Sequence, residues 1–182
     1  MAIVRLDKVK AKNAGHLFSI KHTSPIKNGS VWVATGLASG EREVFNIAPV
    51  TGSYGDGNMD GFDPIVLHAS VEYMWESNKP KLDQFELAAD EVGRAYLLEE
   101  GDIVTITSDM FDSVPDDTNK YVVPSLANPG KLKASPNGKE SFTDGTNNEE
   151  RTHKLIFKFV EQTTLGADNS TAYTLLVVKN HI

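Results

Sequence analysis

The chain has 182 residues, of which 40% are hydrophobic and 24% charged; this fits one folded domain and excludes a disordered or fibrous polymer. Lys and Arg number 18 against 25 Asp and Glu, and the resulting net charge of −7 argues against a protein built to grip phosphate backbones. There is no cysteine, so disulfides, thiolate metal sites and cysteine nucleophiles are excluded together.

The first ten residues, M-A-I-V-R-L-D-K-V-K, have no apolar core and no cleavage site, so they are not read as a secretory signal. No apolar run approaches the roughly 20 residues of a membrane-spanning helix. Residues 3–9 predict a first strand, and Arg5, Lys8, Lys10 and Lys12 mark it as an edge or a terminal arm. Residues 17–22 predict a weak strand. Pro25 and the Asn28-Gly29 pair predict a turn. Residues 30–35, S-V-W-V-A-T, predict a strong strand, and residues 41–48 another, the two forming a hairpin. Residues 49–64 form a Gly- and Pro-rich loop, after which the β pattern resumes at 65–74.

Residues 82–92 carry the only helical spacing, through Leu82, Phe85, Ala89 and Val92, with Gly93 where a C-cap would stand. The clearest β signal is residues 93–107, G-R-A-Y-L-L-E-E-G-D-I-V-T-I-T. It predicts strands at 94–98 and 103–107 joined by an acidic turn into a hairpin. Arg94, Tyr96 and Leu98 would share one face, Val104 and Ile106 another. Residues 108–120 are polar, 121–123 predict a strand stopped by Pro124, and 131–133 a further short strand. Residues 137–150 read as a long hydrophilic loop. Residues 155–160 and 173–178 predict a closing strand pair, with Leu155, Phe157 and Phe159 on one apolar face. The sum is a mainly β fold, a compact barrel or sandwich built from hairpins, with at most one short helix near 82–92. It divides into an N-terminal arm and first strand, 1–25, and a single β domain, 26–182, with insertions at 51–63 and 137–150.

Asp56, Asn58 and Asp60 match the opening of a calcium loop, D-x-N-x-D-G, in which alternate side chains converge oxygens on one hard cation. Asp63 would add an oxygen. The match fails at the closing position, where Leu67 replaces the bidentate glutamate, and Pro64 lies inside the loop. The five histidines, His16, His22, His68, His153 and His181, show no ligand spacing. No hydrolase signature or phosphate-cradling loop is present, so no catalytic residue and no cofactor is assigned. Trp32 reads as core, and Trp75, beside Glu76-Ser77-Asn78, as a possible stacking surface for a sugar.

The order of elements is informative as a whole: I-K-N-G-S-V-W-V-A-T-G at 26–36, G-E-R-E-V-F-N-I-A-P at 40–49, P-I-V-L-H-A-S at 64–70, L-D-Q-F-E at 82–86, the 93–107 stretch and K-Y-V-V at 120–123. Over roughly residues 26–180 it resembles small structural proteins of tailed bacteriophages, namely capsid decoration (cement) proteins and the capsid-binding base of head fibres. The resemblance implies a non-enzymatic virion protein, assembled in the host cytoplasm, that sits on the outer capsid surface. Its implied partner is the major capsid protein, with self-association or a fibre protein as further partners, and with neither nucleic acid nor membrane. A carbohydrate- or receptor-binding β-module using Trp75 and the 51–63 loop is the alternative. A β-fold hydrolase with a site assembled from distant residues is a third. A free monomer would fray at 1–12 and 137–150, so a capsid clamp would order these segments against other chains.

Overall fold

The computed structural model describes residues 2–10, 17–50, 64–70, 85–144, 147–166 and 169–180. Within them the named elements are β-strands and a 3-10 turn at Ser108–Met110. Two β units meet over one of two hydrophobic clusters. The first is a closed barrel of β2 (Leu17–Lys21), β5 (Val44–Ala48), β4 (Val31–Leu37), β6 (Ile65–His68) and β8 (Val92–Leu97), in that order round the ring. β4 and β5 pair antiparallel as the hairpin pattern predicts, whereas β2 and β5 run parallel. The short strands β3 (Ile26–Lys27) and β7 (Glu86–Leu87) pair with each other.

The second unit is a seven-stranded sheet. Its order is β1 (Val4–Lys8), β9 (Ile103–Thr107), β16 (Ser170–Asn180), β15 (Leu155–Leu165), β11 (Tyr121–Pro124), β12 (Leu132–Ser135) and β10 (Phe111–Ser113). Only the 3-10 turn separates β9 from β10, although they occupy the second and seventh places. In a flat sheet those places lie about 24 Å apart, while four Cα steps reach at most about 14 Å. The sheet therefore curls until its last strand returns towards its second. The rings of Phe111 on β10 and Tyr173 on β16 accordingly meet edge to face, 5.3 Å apart, inside the curl.

Alternation along the barrel strands explains how the units join. On β8, Ala95 and Leu97 fill the barrel with Ile20, Trp32, Ile47 and Val66. Tyr96 belongs instead to the cluster inside the curled sheet, and so does Leu98 just past the strand, with Val104, Ile106, Phe157 and Leu175. β4 and β6 divide their side chains the same way: Val31, Val33, Ile65 and Leu67 go to the sheet cluster, Trp32 and Val66 to the barrel. Val31 N–H also donates to Gly130 O at 3.0 Å, tying the barrel to the turn between β11 and β12.

Four sequence expectations need correction. The 94–98 and 103–107 strands exist but do not form a hairpin. β8 pairs with β2 and β6 in the barrel, and β9 pairs with β1 and β16 in the sheet. Residues 95–98 are buried on both faces, which a half-exposed hairpin could not provide. The acidic turn instead pairs with β16, through Gly101 N–H to Val177 O and Val177 N–H to Asp102 O, both 2.9 Å.

The helix near 82–92 is not formed in the described part, residues 85–92. Phe85 and Leu87 are buried with exposed Glu86 between them, a strand alternation. Asp90 has φ 62, which a right-handed helix excludes. Gly93 is not a helix cap but a close-approach position on β8: a Cβ there would stand 2.5 Å from Leu87 Cδ2 and 3.2 Å from His68 Nε2.

Asn28 and Gly29 do form the predicted turn. Both residues are buried, and Gly29, with φ 83, passes so close to the sheet that a Cβ would stand 3.0 Å from Ile106 Cγ2. The hydrophilic 137–150 loop is largely a hairpin, β13 (Lys139–Asp144) with β14 (Asn147–Thr152), in register from Lys139↔Thr152 to Asp144↔Asn147.

The N-terminal segment is an edge, as its charges predict, but it has core potential: Ala2, Ile3 and Val9 are buried. Ile3 N–H donates to Thr107 Oγ1 at 2.9 Å, Thr107 N–H to Ile3 O at 3.0 Å, and Lys10 N–H to Asp102 Oδ1 at 2.9 Å. The chain itself therefore pins residues 2–10, and no neighbour is required to order them.

Candidate functional site

The residues singled out for calcium, Asp56, Asn58, Asp60 and Asp63, and the stacking candidate Trp75 lie outside the described residues. The structure does place the closing position of the calcium loop. Leu67 sits on β6, fully buried in the core between barrel and sheet, so that position can present no oxygen to a cation. Among the described residues, no group of three or more His, Cys, Asp or Glu is placed to hold a metal ion. Trp32 is 6% exposed within the barrel and donates its indole N–H to Ser30 Oγ at 2.7 Å, the core role its strong strand predicts.

The densest polar constellation is one that spacing did not reveal. At the end of β6, His68 is fully buried. Its Nδ1 lies 2.9 Å from Lys27 O, and since a carbonyl only accepts, Nδ1 carries the proton. Nε2 is then an acceptor, and Ser70 Oγ–H donates to it at 3.0 Å. Arg94 N–H donates to the same Ser70 oxygen at 2.9 Å. Asn28 clamps the Ser70 backbone from both sides: Ser70 N–H donates to Oδ1 at 2.8 Å, and Nδ2 donates to Ser70 O at 3.1 Å. The ladder between Gly29 N–H and His68 O and between His68 N–H and Ser30 O, both 2.8 Å, completes the cluster.

A serine hydroxyl bonded to a histidine raises the question of a nucleophile and its base. The geometry answers against it. Burial pushes the imidazole down to about 4, which makes it a poor proton acceptor. A backbone carbonyl, not a carboxylate, orients the ring, so no countercharge would stabilise an imidazolium. Ser70 is only 7% exposed, and its oxygen is already engaged as both donor and acceptor. The cluster is a satisfied buried network that fastens 27–30 across the ends of β6 and β8. Its signal in the sequence was H-A-S at 68–70 after a buried strand, together with Asn28; only the fold brings those 42 residues of separation together.

The remaining surface features are edges and charges. Two of the basic residues of the N-terminal strand are engaged within the chain: Arg5 Nε with Asp7 Oδ1 at 2.5 Å, and Lys10 Nζ with Glu99 Oε2 at 2.7 Å. Asp116 takes N–H bonds from Asn119 and Thr118, which hold its carboxyl below the usual range in a self-contained turn. β13 and β14 pair with each other and with no other described strand. β15 runs 11 residues but meets β11 only at Lys158 and Phe157, which leaves its distal part paired on one side among the described residues. No described helix is long and apolar enough to cross a membrane. No protein-family model, curated protein or solved structure matches the chain.

Proposed function

We propose that the protein is a non-enzymatic structural component of a tailed-phage virion that binds the outer capsid surface and bridges major capsid subunits, as a decoration protein or the base of a head fibre. The observation that carries this reading is the β13–β14 hairpin. Among the described residues, two strands of six residues each pair only with one another, and an isolated two-stranded hairpin is marginal in water. A partner surface that accepts the hairpin would stabilise it and would be held in turn. Bridging works by mass action, because any ligand of the assembled shell alone raises the stability of that shell. The satisfied His68–Ser70 network supports a structural role, since the polar cluster most like an active site is closed and internally bonded. The acidic net charge suits the outside of a capsid, away from packaged DNA.

The test is co-sedimentation with expanded capsids assembled from the major capsid protein of the virion to which this reading assigns the chain. The wild-type chain is expected to bind and to raise the temperature at which the shells disrupt. A variant with residues 139–152 replaced by a short Gly-Ser linker is expected to keep its fold, as judged by circular dichroism, and to lose binding. Wild-type protein that fails to bind, or a hairpin-less variant that binds equally well, would overturn the reading.

A further inference from the structure

We draw no further inference here: the strongest candidate, the edge of β15 beyond Phe159, where Val160 stands 54% exposed and no described strand pairs on the β11 side, carries nothing because nothing in the structure shows what covers it.

Discussion

Acid should weaken this protein through one residue before its carboxylates titrate. Unfolded, His68 binds a proton below its ordinary value of 6.5; folded, burial delays this to about 4. Between those values the unfolded chain holds one proton more, so stability falls as pH falls. The contribution is fully present above about pH 6.5, declines by up to about 1.4 kcal/mol per pH unit, and is gone below about pH 4. The whole loss is about 3 kcal/mol, a large part of the roughly 5–15 kcal/mol that holds a domain folded. The assay is urea denaturation between pH 4 and 8, followed by tryptophan fluorescence, since Trp32 is buried beside the cluster. His68→Gln removes the titrating group, and its stability should decline less steeply than wild type across pH 6.5 to 5. Nitrogen NMR of the wild-type imidazole should report a neutral ring with the proton on Nδ1 down to about pH 4. Equal slopes in the two proteins, together with a His68 titration near 6.5, would refute the reasoning.

Gly93→Ala should cost about 1–3 kcal/mol, because its methyl would stand 2.5 Å from Leu87 Cδ2; Gly36→Ala, with nothing within 4 Å, should stay within about 0.5 kcal/mol, and equal midpoints for the two variants would count against the packing described. Deleting residues 1–10 should abolish folding rather than free an arm. It exposes the β9 edge and removes buried Ile3 and Val9, each worth about 1.5–3 kcal/mol; a soluble, cooperative truncated protein would contradict this. EDTA should leave the melting temperature nearly unchanged, because Leu67 closes no calcium loop. A large calcium-dependent rise, lost in the Asp56→Ala, Asp60→Ala variant, would restore those residues as ligands.

What the sequence disclosed followed period-two patterning, and what it concealed followed from where strands go after they end. The segments of β4, β5, β8, β9, β15 and β16 were legible because Val, Ile, Phe and Tyr alternate or run together there. Their partners were less so. The link at 98–102 has the composition of a hairpin turn, yet Asp102 accepts N–H groups from Glu99 and from Lys10, and this second bond, across 92 residues, binds the turn to the N-terminal segment instead. Burial of 95–98 on both faces was the clue, since A-Y-L-L is apolar without interruption where a solvent-facing hairpin would alternate. The helical spacing of Leu82, Phe85, Ala89 and Val92 competes with the spacing of two between Phe85 and Leu87, and the latter decides the structure because both side chains fill the barrel cluster. The His68 cluster left only H-A-S after a buried strand as its trace: its members come from three separate stretches, 27–30, 68–70 and Arg94, and hydrogen bonds to backbone atoms leave no spacing motif.

The place of β16 has a consequence for how the chain comes off the ribosome. It is the last described strand to be synthesised, yet it lies inside the sheet, between β9 and β15. Until residues 170–180 emerge, no strand pairing among the described residues joins β1 and β9 to the β15–β11–β12–β10 group, which the 3-10 turn alone tethers to β9. The barrel, by contrast, draws every strand from residues 17–97 and can close while the rest is still being made. Its outward-facing Val33, Ile65, Leu67 and Tyr96 would then wait uncovered for the sheet to arrive. The nascent chain is thus most prone to aggregate in the interval between barrel closure and release of β16. A stop codon anywhere in the last strand would leave that interval without an end.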